Sequence, residues 1–127
     1  MGAKAAFCPR GWIYSHDAVF NGASPNPSAW TDLDLSAVIG PRSGLVLFEI
    51  SAVGGGGNAG YIFRETGEGD ATPLNFPLEA GGCHSVSIAD EKFGYVMMHA
   101  YQGHVDWYCT LVDTQTLIRV FGFLPGY

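Results

Sequence analysis

The sequence predicts an all-β fold: an antiparallel β-sandwich or jelly roll of about eight to ten short strands, with an extended N-terminal arm. Three observations predict it. Eighteen glycines and seven prolines interrupt a chain of 127 residues at short intervals. Between the interruptions apolar and polar residues alternate, which is the period-two pattern of a half-buried strand. No segment combines the length, caps and apolar period of a helix.

The first 29 residues have no clear period. Trp12-Ile13-Tyr14 and Ala18-Val19-Phe20 are short apolar patches, suited either to a strand or to an arm packed on a neighbouring subunit. Pro25 and Pro27 remove two backbone donors and favour extended backbone before them. Residues 1–29 therefore read as arm and linker, and residues 30–127 as the sandwich domain. Leu33 and Leu35 alternate with Asp32, Asp34 and Ser36 as in an edge strand, and Gly40-Pro41-Arg42-Ser43-Gly44 turns the chain. Leu45–Val53 is the central strand. Val46, Phe48, Ile50 and Ala52 form its wholly apolar face and are assigned to the core, opposite Leu47, Glu49 and Ser51.

The tract Gly54–Gly57 reads as a hairpin tip, with Tyr61–Arg64 as the partner strand. A phosphate-binding loop would need a helix after the glycines and a lysine or a spaced acid, and a strand pattern follows instead. Glu65–Asp70 is an acidic turn that lacks the ligand positions of an EF-hand loop. Residues 71–82 read as surface chain. Cys83–Ala89 alternates as a strand. Phe93–Tyr101 is a strand rich in aromatics and Met, Gln102-Gly103 a short turn, and His104–Cys109 the strand expected to pair back as a hairpin. Thr116–Phe123 closes the domain, with Leu117, Arg119, Phe121 and Phe123 on one face and Ile118, Val120 and Gly122 on the other.

Composition narrows the function classes. Charged residues are 14% against 47% hydrophobic, which favours a subunit that covers surface with copies of itself or a partner. A net charge of −6 and scattered basic residues argue against nucleic acid and against a membrane-surface patch. No apolar run approaches the ~18 residues of a membrane span, and the N-terminus lacks the apolar stretch of a signal peptide. Cys8, Cys83 and Cys109, an odd number without CxxC spacing, read as free thiols.

Candidate chemistry is sparse. His99, His104 and Asp106 could meet across neighbouring strands, but a metal site needs further convergent ligands and support, so no metal or cofactor is assigned. There is no Gly-x-Ser-x-Gly elbow. Cys83 and His84 are adjacent in a strand and point to opposite faces. No catalytic residue is assigned, and the expectation is that the protein is not an enzyme. Arg64 ends an apolar strand and calls for a carboxylate such as Asp32, Asp34 or Glu49. Trp107 and Tyr108, with Tyr61, Tyr95 and Tyr101, could stack on a sugar. The same rings more often fill cores and interfaces. The candidate interface residues are Trp12, Tyr14, Phe20, Trp107 and Tyr108.

Trp30-Thr31-Asp32-Leu33-Asp34-Leu35-Ser36, followed by Val38-Ile39-Gly40, resembles the opening of small jelly-roll-like structural (decoration or tail) proteins of tailed bacteriophages. The strand Leu45–Ile50, Phe63-Arg64-x-x-Gly67, Gly103-x-Val105-Asp106-Trp107 and Gly122-Phe123-Leu124 extend the resemblance from Trp30 to the C-terminus. It implies a non-enzymatic virion component without catalytic residues, made in the host cytoplasm. The implied role is a capsid decoration (cement) protein that self-associates, as a trimer for example, and stabilises the shell. Its partners would be itself and a major capsid or tail protein. The alternative it leaves open is a carbohydrate- or receptor-binding module of a tail or fibre.

Overall fold

The computed structural model describes residues 13–25, 29–53, 58–66, 83–89, 91–111 and 115–126. Over these the chain forms β1 (Ile13–Tyr14), β2 (Ala18–Ala23), β3 (Thr31–Asp34), α1 (Ser36–Ile39), β4 (Gly44–Val53), β5 (Ala59–Glu65), β6 (Cys83–Ile88), β7 (Lys92–Ala100), β8 (His104–Cys109) and β9 (Gln115–Pro125). Among the described residues no helix is long and apolar enough to cross a membrane. Trp12, the glycine tract Gly54–Gly57, the end of the acidic turn and residues 71–82 lie outside the described residues.

The strands make two antiparallel sheets. One is five-stranded, in the order β1-β9-β4-β7 with β2 also on β9. The other is four-stranded, in the order β3-β8-β5-β6. The pairings nest: β2 with β9, β3 with β8, β4 with β7 and β5 with β6. A long hairpin folded about β5–β6 and rolled so that successive pairs fall in opposite sheets is a jelly roll.

This nesting corrects two expected hairpins. β4 and β5 lie in different sheets, and so do β7 and β8. The turn chemistry at Gln102-Gly103 is nevertheless real. Both residues have positive φ, 51° and 85°, and Tyr101 and His104 exchange backbone hydrogen bonds of 3.1 and 3.0 Å across the turn. The chain reverses there, but beyond one bridge the strands part, because their ladders run to β4 on one side and to β3 and β5 on the other.

The arm is corrected as well. Ile13 and Tyr14 pair with Phe123 and Gly122, and Ala18–Ala23 pairs along β9 as far as Gln115. The sandwich therefore begins well before residue 30, and Ser24 is tied to it through a hydrogen bond to the Leu111 carbonyl. The edge strand β3 is shorter than expected. Asp34 Oδ1 accepts the Ser36 N–H at 2.8 Å and the Gly103 carbonyl accepts the Leu35 N–H at 2.7 Å, which starts the single helical turn α1. Gly40, with φ of 73°, ends it.

The core lies between the sheets. Val46, Phe48, Ile50 and Ala52 are buried, as their shared face predicts. Phe48 stacks on Phe63 at 5.3 Å, and Trp107 lies between Tyr61, Phe63 and Phe20 at 6.2, 6.3 and 4.9 Å. Burying each such side chain contributes roughly 1.5–3 kcal/mol. In β9, Ile118 and Val120 face the core, but Phe123 does so too, contrary to the expected alternation. The cause is a bulge. Leu47 opposes Gly122 and Phe48 opposes Val120, so Phe121 is an extra residue and the faces swap after it.

Candidate functional site

The outer face of the five-stranded sheet is where apolar side chains remain in solvent. β7 ends this sheet and is apolar on both faces. Val96, Met98 and Ala100 take the core, which leaves the alternate residues outside. Phe93 is 63% exposed, Tyr101 50%, and Tyr95 and Met97 46% each. On β4 beside it, Leu45 and Leu47 are half-buried and Val53 is exposed. On β9, Leu117 and Phe121 complete the face. The register aligns Leu47 with Met97, Glu49 with Tyr95 and Arg119, and Ser51 with Phe93 and Leu117.

Tyr95 sits in the middle. Its hydroxyl donates to Glu49 Oε2 at 3.0 Å, and its ring makes edge contacts with Phe93 and Phe121, both at 5.9 Å. The carboxylate that accepts its proton holds the phenol above its ordinary pKa. Arg119 Nη1 lies 3.8 Å from Glu49 Oε1. At the end of β7, His99 pairs with Glu65 at 2.7 Å. Among the described residues of β4 and β9 the charged groups within the apolar face are thus one carboxylate and one guanidinium of opposite sign, with His16 packed on Phe121 at 5.0 Å beside them.

The residues singled out by sequence fall elsewhere. Trp107 is fully buried in the core, and Phe20 is half-buried against it. Tyr108, 3% exposed, lies on the outer face of the four-stranded sheet with Trp30 edge-on at 4.9 Å. Tyr14 pairs through its backbone with Gly122. Trp107 and Tyr108 are thus taken up by the chain's own packing, and Phe20 is partly so. Arg64 pairs with Asp106 at 3.0 Å, its register partner on β8, and its guanidinium lies 4.5 Å over the Trp30 ring. None of the three carboxylates expected for it is that partner. His99, His104 and Asp106 do not converge. His99 meets Glu65, His104 meets Asp32 at 3.0 Å, and Asp106 meets Arg64. Among the described residues no group of three His, Cys, Asp or Glu side chains is placed to hold a metal ion.

Sequence reasoning named Tyr95 and Tyr101 among rings that could stack on a sugar, but missed that they form one outward row with Phe93 and Met97. The signal was present in a strand that is apolar at both parities, because the last strand of a sheet with one covered side must leave one of its faces open.

No family model and no curated protein matches the sequence. Among solved structures the chain is similar to the coat protein dimer of Tobacco streak virus, with a TM-score of 0.46, 6% identity, and coverage of 94% of this chain and 90% of that one. It is also similar to the carbohydrate-binding module CBM6cm-2 of Cellvibrio mixtus lichenase 5A, with a TM-score of 0.38, 14% identity, and coverage of 87% and 95%. A third is a structure of Bacillus endospore appendages, described as disulfide-linked pili, with a TM-score of 0.39, 9% identity, and coverage of 91% and 84%. The jelly-roll assignment rests on the strand pairings themselves.

Proposed function

We propose that the protein is a non-enzymatic structural subunit of a virion, of the capsid-decoration kind, which acts by associating with copies of itself. The observation that carries this reading is the open aromatic face of the five-stranded sheet. An exposed apolar patch of this extent on a soluble chain marks an interaction surface. The resemblance of Trp30–Ser36 and the later strand motifs to phage jelly-roll structural proteins supports the virion assignment. Association would stabilise a shell by mass action, because bound subunits favour the assembled state.

A carbohydrate-binding role drew on Trp107 and Tyr108 with Tyr61, Tyr95 and Tyr101; Trp107, Tyr108 and Tyr61 are buried, and Tyr95 and Tyr101 remain exposed. Phe93 and Tyr95 do not form one continuous flat platform for a sugar. They stand at 88° to each other, whereas stacking on a sugar uses a flat ring face. Sedimentation velocity over a wide concentration range tests the proposal. The expected result is a discrete oligomer whose population grows with concentration. A monomer at every concentration overturns the reading.

A further inference from the structure

We propose that the occupant of this face is a second copy of the same chain, docked face to face about a two-fold axis with Glu49 and Arg119 as its charge register. The inference rests on the proposed self-association and adds the surface, the symmetry and the pair that sets the register.

Three observations select this occupant. First, the patch has the size of an interface. Aromatic and similar side chains bury about 150–250 Å² each, so Phe93, Tyr95, Met97, Tyr101 and Val53 at about half exposure offer on the order of 450 Å². The half-buried Leu45, Leu47, Leu117 and Phe121 beside them bring the patch towards the roughly 800 Å² per partner of a standard interface. Second, the charges suit a copy of the same surface. The chain carries −6, so two copies repel wherever their acidic surfaces meet. Within this face the charged side chains of β4, β7 and β9, among the described residues, are Glu49 and Arg119, apart from His99 and its Glu65 partner at the end of β7; Lys92 at the start of β7 has the opposite parity, opposite Ala52, and His16 packs on Phe121 from outside these strands. A two-fold interface is self-complementary, so residue i meets j of the other copy while j meets i. Glu49 then faces the partner's Arg119, and Arg119 the partner's Glu49. Third, the pair is built loosely enough to be shared. Glu49 and Arg119 are 3.8 Å apart and the Arg119 side chain is 41% exposed, so the guanidinium has room to reach outward. Tyr95, hydrogen-bonded to Glu49, holds the carboxylate at the centre of the ring of apolar groups.

Among the described residues a nucleic acid or an acidic partner finds one guanidinium on this face, with Lys92 at its edge, and an anionic lipid surface finds no basic cluster.

The test is complementation by mixing. E49R gives the face two positive groups and R119E gives it two negative groups, so each variant should repel its own copies and sediment as monomer. Mixed in equal amounts they should form a dimer again, because each pair that crosses the interface is then opposite in sign. F93S/M97S should weaken dimerisation by at least about tenfold, with circular dichroism reporting an intact sandwich. An oligomer that survives F93S/M97S overturns this inference and leaves self-association standing. So does a mixture of E49R and R119E that stays monomeric while the unaltered protein dimerises. A monomeric unaltered protein overturns both. Flotation of that monomer with neutral vesicles would assign the face to a lipid surface instead.

Discussion

Tyr61 carries a hydroxyl into the middle of the sandwich, where it shares a 2.7 Å hydrogen bond with Thr116 Oγ1. Burial pushes the phenol above its ordinary value of 10.0, because the phenolate would lose its water. The folded chain therefore holds this proton more tightly than the unfolded chain does. The stability it contributes is complete below pH ~10 and is lost as pH rises above the unfolded value towards the folded one. Tyr61→Phe should cost about 0.5–1.5 kcal/mol near neutral pH and show a flatter decline above pH ~10, read by urea unfolding at both pH values. An equally steep alkaline decline in the variant would assign that loss to other groups. At the sheet's outer surface the balance differs. Arg64 and Asp106 are 15% and 11% exposed, between the exposed and the fully buried cases. Arg64→Ala removes the ion pair and the cover over Trp30, with an expected loss of about 1–3 kcal/mol by chemical denaturation. Arg64→Lys should recover only part of it, because an ammonium keeps the charge but not the planar stacking.

At the scale of elements, the turn between β7 and β8 depends on a backbone only glycine takes easily. Gly103 has φ of +85°, and a Cβ added there would come within 2.7 Å of the Gly40 carbonyl oxygen. Gly103→Ala should lose about 1–3 kcal/mol in thermal unfolding. Gly22→Ala is the control. Among the described residues its added Cβ would meet the Phe20 ring alone, at 4.0 Å, and the change should be neutral or slightly stabilising. This turn also marks how far sequence alone reaches. Gln102-Gly103 was legible as a reversal, since turn chemistry is local. The partner of each strand was not, since alternation reports which face is apolar and says nothing of which strand lies alongside. Hence β4's core face was read correctly from Val46, Phe48, Ile50 and Ala52, while its neighbours proved to be β7 and β9 and not β5. Phe123 was misassigned for a related reason. A one-residue bulge at Phe121 inverts the alternation, and no turn residue announces it. The exposed apolar row was hidden by the same ambiguity. Trp107 and Tyr108 stood out as large aromatics, but size favours burial as much as contact, whereas the row on β7 became visible only once its other face was known to be inside.

The whole molecule sets two long-range terms against each other. The jelly roll leaves a nearly neutral apolar face on a chain of charge −6, so the proposed association would join surfaces that attract on bodies that repel. Apolar burial is insensitive to moderate salt, and ion pairs closed inside an interface are screened only weakly. The repulsion between the two acidic bodies acts through solvent. It is cut as the Debye length falls from about 30 Å at 0.01 M to about 10 Å at 0.1 M. Raising salt across that range at pH 7 should therefore tighten self-association severalfold, seen as a shift of the sedimentation isotherm to lower protein concentration. The sign of the change discriminates between partners. Two copies of one acidic chain must bind more tightly as salt rises, whereas a complex drawn together by opposite net charges must loosen. Weakening with salt would mean that the attraction runs between opposite charges exposed to solvent and not through the face that carries Phe93, Tyr95 and Met97.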